Sequence, residues 1–499
     1  MARVIMIQGT MSNAGKSLIV AGLCRIFKQD GYRVAPFKSQ NMALNSYITQ
    51  DGLEMGRAQV VQAEAAGVMP DVAMNPILLK PTTDMGSQVI VHGKPIGDMS
   101  AMEYYGRKKE FIPAIMEAYN KLDQDFDIIV IEGAGSPAEI NLKADDIVNM
   151  GMAKLADALV LLVGDIDRGG VFAQLLGTLM LLEEEEKDRV KGLIINKFRG
   201  DKEILAPGLA MLEERCHKAV LGVVPYERLH IEEEDSLAKQ LDNMDSVAGI
   251  DIAVIRFPKL SNFTDLQAFV LEENVSVRYV NNVAELGEPD VVILPGSKST
   301  SADMLWMREN GLEAAIKKLA HKGMIVIGIC GGYQMLGVSV EEYSDRESIK
   351  GMGLIPIKTK FQQEKTRTQI NGRLSDVEGA LKALSGKEIY GYEIHMGESD
   401  MTDDLEGVFN CYGSQLYLNG RSVGFCRENI FGTYIHGIFD SEEFRSAFVK
   451  FLCDKKGMEY GNSKMSYMEF KEQQYDKLAQ MLRDSLDMNE IYNIMGLER

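Results

Sequence analysis

Short apolar runs recur along the first half of the chain, and a stretch of helical periodicity follows each of them. The runs occupy residues 4–7, 128–131, 158–163 and 192–195. Short continuous apolar runs are typical of strands buried on both faces, and their alternation with helices is typical of a parallel sheet with crossover connections. We therefore predict a doubly wound α/β domain over residues 1–235.

A second series of apolar runs indicates a second doubly wound α/β domain, over residues 250–440. Its members occupy residues 252–255, 291–294 and 324–328. An acidic run from Glu232 to Asp235, followed by polar sequence up to Gly249, separates this series from the first. Such a run is typical of a solvated linker, so it predicts the domain boundary.

The chain after Ser441 is helical in pattern. Phe444, Phe448, Phe451 and Leu452 lie near helical spacing and give one apolar face. We predict a helical C-terminal extension over residues 441–499, with a packing role rather than a chemical one.

The composition and the charge argue against several classes of protein. A chain of 499 residues with 45% hydrophobic content is long enough for two or three domains with their own cores. The formal charge of −19 argues against nucleic acid as a partner, because phosphate backbones attract basic surfaces. No apolar run reaches the length of about 18 residues that a membrane span needs. The six scattered cysteines suit a reducing cytoplasm.

A glycine-rich segment joins the first apolar run to the first predicted helix. It reads Gly9-Thr10-Met11-Ser12-Asn13-Ala14-Gly15-Lys16-Ser17. A strand, a glycine-rich turn and a helix form the setting of a phosphate-binding loop. Gly15 lets the backbone approach a polyphosphate, Lys16 adds positive charge, and the Ser17 hydroxyl can bind Mg²⁺. The segment predicts ATP and Mg²⁺ as cofactors, and its longer loop resembles that of dethiobiotin synthetase.

A second glycine-rich turn carries a cysteine. Gly328-Ile329-Cys330-Gly331-Gly332 follows a predicted buried strand, and this is the thiol form of a nucleophile elbow. A helix start favours the thiolate form of such a cysteine. The best candidate for its base is His436, which ends the short apolar segment Phe431-Gly432-Thr433-Tyr434-Ile435-His436. The sequence therefore predicts an acyl-transfer site at Cys330 and His436.

Two further segments resemble one family of corrinoid amidases. Pro36-Phe37-Lys38-Ser39-Gln40-Asn41-Met42-Ala43-Leu44-Asn45-Ser46 and Glu54-Met55-Gly56-Arg57-Ala58-Gln59 are similar to the cobyric acid synthase family. In that family an ATP-dependent amide ligase domain is fused to a class I glutamine amidotransferase domain. The resemblance implies glutamine as the ammonia donor and a corrinoid substrate. It implies amidation of four side-chain carboxylates (b, d, e and g) of adenosyl-cobyrinic a,c-diamide.

Two other interpretations stay open at this point. Cobyrinic acid a,c-diamide synthases share both domains but differ after the second strand. A partition-type ATPase with a non-catalytic amidotransferase-like module would share the phosphate loop and the strand order. Glutamine-dependent ATP hydrolysis stimulated by a corrinoid would favour a ligase, whereas stimulation by another protein or by DNA would favour the partition ATPase.

The resemblance also implies roles for charged residues of the first domain. Lys16 and Lys38 are expected to neutralise the phosphates of ATP. Ser17, Glu54 and Glu132 are expected to bind Mg²⁺. Glu132 ends a predicted strand, at the edge where open α/β sheets bind ligands.

Two residues after later strands are further candidates. Asn196 is similar to the base-reading residues of related nucleotide enzymes, although a simple polar turn explains it nearly as well. Arg168 is expected to bind a substrate carboxylate. Asp145 and Asp146 would bind metal, orient the substrate or cap a helix.

The residue that orients His436 is less evident. The common class I pattern has Glu two residues after the histidine, but Gly437 and Ile438 follow here. Glu393 is a candidate orienter, or else a structural residue. Backbone N–H groups near Gly296 and Gly331 are expected to stabilise the charge that develops on the glutamine carbonyl oxygen.

Overall fold

The structure is a computed structural model, and it describes residues 1–82, 86–232, 249–342, 348–375, 377–402, 413–461 and 465–497. The linker predicted after Glu232 lies outside the described residues. Within the described part of the chain, no helix combines the length and the apolar character that a membrane crossing requires.

The first half of the chain alternates strands and helices, as its apolar pattern predicts. Its strands are β1 (Arg3–Gly9), β2 (Val34–Phe37), β3 (Gln40–Met42), β4 (Ser46–Ile48), β5 (Glu54–Gly56), β6 (Ile77–Pro81), β7 (Gly86–Val91), β8 (Lys94–Ser100), β9 (Ile128–Glu132), β10 (Leu159–Asp165), β11 (Val190–Phe198) and β12 (Val220–Pro225). Its helices are α1 (Lys16–Gln29), α2 (Arg57–Ala66), α3 (Ala101–Arg107), α4 (Ile112–Asp125), α5 (Met150–Leu155), α6 (Val171–Leu181), α7 (Glu184–Arg189) and α8 (Lys202–Cys216).

The second half is richer in strands. They are β13 (Ile250–Ile255), β14 (Leu260–Ser261), β15 (Val275–Val280), β16 (Val291–Leu294), β17 (Gly296–Ser297), β18 (Ile325–Ile329), β19 (Ser339–Glu341), β20 (Ile349–Lys350), β21 (Ile357–Arg373), β22 (Glu388–Met401), β23 (Ser414–Leu418), β24 (Arg421–Arg427), β25 (Ile430–Thr433) and β26 (Ile435–His436). The helices are α9 (Val283–Leu286), α10 (Thr300–Glu309), α11 (Leu312–His321), α12 (Gly331–Leu336), α13 (Glu442–Lys456), α14 (Tyr467–Ser485) and α15 (Met488–Ile494).

The chain divides into two compact units. The first comprises residues 1–43, 53–232 and 470–499, and the second comprises residues 44–52 and 233–469. The predicted extension over residues 441–499 is helical, but it is not one body: α13 belongs to the second unit, and the chain from Phe470 onward belongs to the first. The aromatic spacing of α13 gave no sign of this division.

The first unit is built on a parallel sheet with the strand order β12-β11-β10-β1-β9-β2. All five neighbouring pairs are parallel. The central strands are buried on both faces, and every residue of β9 is buried. Strands β9 and β2 lie on one side of β1, and strands β10, β11 and β12 lie on the other, so a topological switch point lies beside β1. The carboxyl ends of β1, β9, β10 and β11 meet at this edge, which confirms the predicted doubly wound sheet.

The last two helices complete the core of the first unit by packing on α1. The rings of Phe27 and Tyr492 meet edge to face with centroids 5.5 Å apart. A side chain at Gly22 would collide with Leu482, because its Cβ would lie 2.4 Å from a Leu482 methyl carbon. Arg25 pairs with Asp476 at 2.8 Å. The C-terminal helices are therefore part of the first unit, although they are distant in sequence from the rest of it.

The second unit contains a sheet with the order β15-β13-β16-β18-β25-β24-β23. Its strands are parallel from β15 to β25, and β24 and β23 are added antiparallel. A second sheet has the order β20-β19-β21-β22-β26 and is dominated by the long antiparallel ladder of β21 and β22. Tyr392 of β22 pairs in register with His436 of β26, so the second sheet passes beside that histidine.

Candidate functional site

The phosphate loop has the backbone that its glycines predict. Gly15 adopts a φ of 98°, and Asn13 is also left-handed at 59°. A Cβ at Gly15 would lie 2.0 Å from the Asn196 amide nitrogen, so only glycine fits without displacement. Lys16 Nζ donates to the carbonyls of Met11 and Gly135 at 3.1 Å each. The loop therefore wraps around the lysine that opens α1.

Lys16 is buried, and burial lowers its pKa to about 8, although nearby Glu132 opposes the shift. A partly desolvated ammonium gains more from an anionic partner than one in water, because the local dielectric constant is lower. The predicted place of Lys16 beside a polyphosphate fits these surroundings.

Glu132 lies at the centre of the predicted metal site. One carboxylate oxygen, Oε1, accepts from Ser17 Oγ at 2.9 Å and pairs with Lys38 Nζ at 2.8 Å. The other oxygen accepts from Gln62 Nε2 at 2.5 Å. Burial alone would raise the pKa of Glu132, but Lys38 and Gln62 outweigh it and hold the pKa below its ordinary value. The carboxylate is therefore ionised beside an exposed hydroxyl.

The oxygens of Ser17 and Glu132 suit Mg²⁺, which takes hard oxygen ligands. Magnesium sites at nucleotides often have only one or two protein ligands, and water and phosphate oxygens complete the octahedron. The described residues contain no cluster of three or more acidic, histidine or cysteine side chains that would hold a metal by itself. The Ser17 hydroxyl and the Glu132 carboxylate, which lie 2.9 Å apart, are therefore the protein ligands that would fit a nucleotide-bound Mg²⁺.

Asn196 contacts the phosphate loop directly. Its side-chain amide donates to the Ala14 carbonyl at 2.8 Å. The neighbouring Lys197 pairs with Asp165 at 2.8 Å and also donates to the Asn13 carbonyl. Residues near the carboxyl ends of β10 and β11 thus hold the phosphate loop in place through these contacts. Recognition of the adenine base by Asn196 stays a prediction.

Arg168 lies on the exposed loop between β10 and α6. It forms no ion pair or hydrogen bond with any residue in the described ranges, whereas its neighbour Asp167 pairs with Arg199 at 2.8 Å. The guanidinium is therefore accessible to a ligand.

Two acidic candidates are held by contacts within the protein. Glu54, an expected Mg²⁺ ligand, lies in the short strand β5, is fully buried, and pairs with Lys80 at 2.8 Å. Its role as a metal ligand stays a prediction. Asp146 accepts from the backbone N–H groups of Val148, Asn149 and Gly151 at 2.8 to 2.9 Å. Asp146 therefore has the capping role that the sequence left open.

Cys330 sits at the sharp turn between β18 and α12. Its backbone is left-handed, with φ 52° and ψ −106°. For a residue with a side chain this conformation is uncommon, and it is typical of strained functional sites. The flanking glycines allow the close approach that the turn needs, since a Cβ at Gly332 would lie 1.9 Å from the Leu294 carbonyl oxygen. The nucleophile elbow predicted from the glycine spacing is present.

His436 and Asp265 form the rest of the constellation. His436 Nδ1 lies 2.7 Å from Asp265 Oδ2, and Asp265 Oδ1 accepts from the Gly437 N–H at 2.9 Å. Burial by itself would lower the pKa of His436, but Asp265, helped by the Cys330 thiol, raises it to about 10. The second ring nitrogen, Nε2, is left to face the thiol.

The suggestion that Glu393 orients His436 was wrong. Glu393 pairs with Arg421 instead, and the orienting acid is Asp265. Asp265 lies in the 3₁₀ segment Phe263–Leu271 and is 171 residues from the histidine in sequence. The available signal was its position soon after β13, because side chains beyond the carboxyl ends of parallel strands converge at one edge.

The predicted oxyanion site is also at this edge. A Cβ at Gly296 would lie 3.2 Å from His436 Cε1, and one at Gly331 would lie 2.8 Å from the Ser297 nitrogen. Gly296 is therefore packed against the His436 ring, and Gly331 is packed against Ser297. Their role in stabilising the oxyanion stays a prediction.

Comparisons with known proteins agree with this division of the chain. A family model described as the CobQ/CobB/MinD/ParA nucleotide binding domain matches residues 5–237. A model described as the CobB/CobQ-like glutamine amidotransferase domain matches residues 251–444. The two sites lie one in each matched range.

Several curated proteins named cobyric acid synthase are similar over the full length. The protein from Ruminiclostridium cellulolyticum is 57% identical over 100% of this chain and 98% of its own length. The one from Lachnoclostridium phytofermentans is 56% identical, with 99% of each chain covered. The one from Clostridium botulinum (strain Loch Maree / Type A3) is 54% identical, again with 99% of each covered.

Proposed function

This chain belongs to the cobyric acid synthase family, and from that premise we propose the reaction that its two sites carry out. The enzyme amidates four side-chain carboxylates (b, d, e and g) of adenosyl-cobyrinic a,c-diamide in cobalamin biosynthesis, with glutamine as the nitrogen source and ATP as the energy source. The observation that carries the proposal is the presence of both a phosphate loop and a Cys330–His436–Asp265 constellation in one chain.

The glutaminase step follows from the second constellation. Asp265 stabilises the protonated His436 ring, in which Nε2 carries the proton taken from the thiol, and the Cys330 sulfur attacks the side-chain carbonyl carbon of glutamine. The C–N bond then breaks, the amide nitrogen takes the proton from His436 and ammonia leaves. Water hydrolyses the remaining thioester to glutamate and returns the thiol.

The synthetase step needs activation, because a free carboxylate is a poor acyl donor. ATP supplies a phosphoryl group to the corrin carboxylate, and ammonia displaces phosphate from it. Lys16 and Lys38 neutralise phosphate charge, and Gly15 lets the loop backbone approach the nucleotide. Ser17 and Glu132 would hold Mg²⁺, which would screen the phosphates. Arg168 would hold a carboxylate of the corrinoid.

The setting that we propose is the cytoplasm. The five cysteines in the described part of the chain, Cys24, Cys216, Cys330, Cys426 and Cys453, are free thiols. A nucleophilic thiol at Cys330 works in such a reducing compartment.

Mass spectrometry of the corrinoid tests the substrate. Cobyrinic a,c-diamide is incubated with the enzyme, ATP, Mg²⁺ and glutamine, and the expected result is four successive losses of one mass unit, each replacing OH by NH₂. The matched control is cobyrinic acid itself. Two losses from cobyrinic acid, with none from the a,c-diamide, would contradict the proposal and indicate an a,c-diamide synthase.

A further inference from the structure

Strand β22 passes the nucleophile and carries two buried polar side chains there. The Ile394 carbonyl oxygen lies 3.6 Å from Cys330 Sγ. The residues on either side of it are Glu393, which is 0% exposed, and His395, which is 8% exposed. Neither takes part in the glutaminase step described above.

The surroundings of His395 fix its hydrogen-bonding role. Nδ1 lies 2.7 Å from the Gly397 carbonyl oxygen, and a carbonyl only accepts, so Nδ1 carries the hydrogen. In the neutral ring Nε2 is then an acceptor. Nε2 has no hydrogen-bond partner among the described residues, and its distance of 3.8 Å to Glu393 Oε2 is too long for a hydrogen bond.

Glu393 presents a second acceptor beside the first. Its Oε2 oxygen pairs with Arg421, but its Oε1 oxygen is buried without a hydrogen-bond partner among the described residues. A buried acceptor without a donor is costly, so two of them side by side indicate a place for a small molecule with several N–H or O–H groups.

We propose that Glu393 Oε1 and His395 Nε2 bind the ammonia released at Cys330. Ammonia has three N–H donors, so it supplies one to each acceptor and keeps its lone pair. This inference rests on the glutaminase half of the proposed function and assigns its product a binding site.

The charge around the pair favours neutral ammonia over ammonium. Arg421 already neutralises the Glu393 carboxylate, so the two acceptors lie in a site without excess negative charge. Neutral ammonia is the form that attacks an activated carboxylate, because ammonium has no lone pair.

Tyr434 contacts His395 and lies near the Cys330 sulfur. The His395 ring stacks on the Tyr434 ring with centroids 3.7 Å apart. Burial raises the pKa of the Tyr434 phenol, and the nearby Cys330 sulfur adds to that effect. The His395 ring and the Cys330 sulfur therefore both lie near the Tyr434 side chain, and the backbone between Glu393 and His395 contacts that sulfur.

Isotope exchange tests the site without a corrinoid. Ammonia held beside the γ-glutamyl thioester attacks the carbonyl carbon, so that a C–N bond forms, the C–S bond breaks, and the displaced sulfur recovers a proton through His436. Unlabelled glutamine incubated with ¹⁵N-ammonium then acquires ¹⁵N. The measured quantity is ¹⁵N-glutamine formed per glutamate formed.

Glu393→Gln is the principal variant, because its amide can donate to His395 Nε2 and fill the site. The expected result is a fall in the exchange ratio of about threefold to tenfold, the range for one buried hydrogen bond. His395→Phe keeps the ring stacking, removes the Nε2 acceptor, and is expected to lower the ratio similarly. The matched control is Glu398→Gln, the same change at an exposed position of β22, with a wild-type ratio.

Three outcomes would overturn the proposal. A wild-type enzyme that hydrolyses glutamine without exchange has no ammonia site. A variant in which exchange and hydrolysis fall together, with the ratio unchanged, shows that Glu393 and His395 position the nucleophile. A variant with both rates unchanged shows that the two acceptors hold only water. None of these results involves the corrinoid, so the substrate assignment is tested separately by mass spectrometry.

Discussion

At the scale of single residues, the glutaminase depends on one carboxylate that no local motif marks. Asp265 binds both His436 Nδ1 and the Gly437 N–H, so it fixes the ring and the turn that follows it. The phosphate loop is different, because Gly15, Lys16 and Ser17 are adjacent in sequence and their roles can be read from spacing. Spacing therefore predicted roles for the phosphate loop, which stay predictions, and it named His436, but it missed Asp265, which only the fold brings to that histidine.

Replacing Asp265 by Asn should impair the base without removing it. The amide nitrogen would donate to His436 Nδ1 and force the hydrogen onto Nε2, where the thiol proton has to go. We expect glutaminase kcat to fall by about 10⁴-fold, as in the serine-protease triad with this change. Steady-state glutamate release measures this, with ammonia-dependent amidation as the internal control. Glutaminase at the wild-type rate would show that Asp265 is only structural.

The same variant should change the pH dependence of stability. The folded-state pKa of His436, about 10, lies above its ordinary value of 6.5. A raised pKa contributes stability that is fully present below pH 6.5 and is lost as the pH rises towards 10. The difference in Tm between the wild type and Asp265→Asn should therefore be largest below pH 6.5 and shrink up to pH 10. A difference that stays constant with pH would contradict a protonated His436.

At the scale of elements, both sites use the same unit, a buried parallel strand followed by a glycine-rich turn and a helix. In the first unit it is β1 and α1, and in the second it is β18 and α12. Apolar runs and glycine spacing predicted both. The long pairing of β21 with β22 was not predicted, because register between distant strands leaves little trace in a polar, alternating sequence. That ladder carries Glu393 and His395.

The glycine next to the elbow should not tolerate a side chain. A Cβ at Gly332 would lie 1.9 Å from the Leu294 carbonyl oxygen, so α12 would have to move away from the sheet. We expect Gly332→Ala to destabilise the second unit by about 1–3 kcal/mol, the usual cost of overpacking, and to abolish glutaminase activity. Calorimetry and glutamate release measure these effects. Gly461→Ala is the control, since no atom in the described part of the chain lies within 4 Å of its added Cβ. Equal behaviour of the two variants would refute the argument.

At the scale of the whole molecule, each chemistry has its own compact unit. The residues of the glutaminase constellation lie in the second unit, and those of the phosphate loop lie in the first. The C-terminal helices return to the first unit after the second is complete, so the first unit needs both ends of the chain. Apolar periodicity predicted two α/β domains correctly, but it placed the C-terminal helices in a separate extension because spacing shows a buried face without showing what covers it.

Two substitutions should separate the activities. Cys330→Ser is expected to abolish glutamine use and to leave ammonia-dependent amidation, because the synthetase accepts free ammonia. Lys16→Ala is expected to abolish amidation from either nitrogen source while glutamine hydrolysis persists in part. Glutamate release and corrinoid amidation are measured in both variants. Loss of both activities in Cys330→Ser would show that the units are not chemically independent, and wild-type amidation in Lys16→Ala would exclude the loop as the ATP site.

The net charge of −19 disfavours binding of the substrate, because a corrinoid with free carboxylates is itself anionic. Attraction therefore has to come from local cations, and Arg168 is exposed and unpaired among the described residues. We expect Arg168→Ala to raise the corrinoid KM about tenfold or more, the effect of losing a hydrogen bond between charged groups. ATP KM and glutaminase turnover should change little.

Salt and a matched variant make this prediction specific. An exposed guanidinium is screened over a Debye length of about 8 Å at physiological ionic strength, so the wild-type corrinoid KM should rise with salt and the variant's should rise less. Arg215→Ala removes the same charge from an exposed position on α8, and it should leave the corrinoid KM and its salt dependence unchanged. If Arg168→Ala raises the ATP KM and spares the corrinoid KM, the loop between β10 and α6 binds the nucleotide, and the corrinoid carboxylates need another cation.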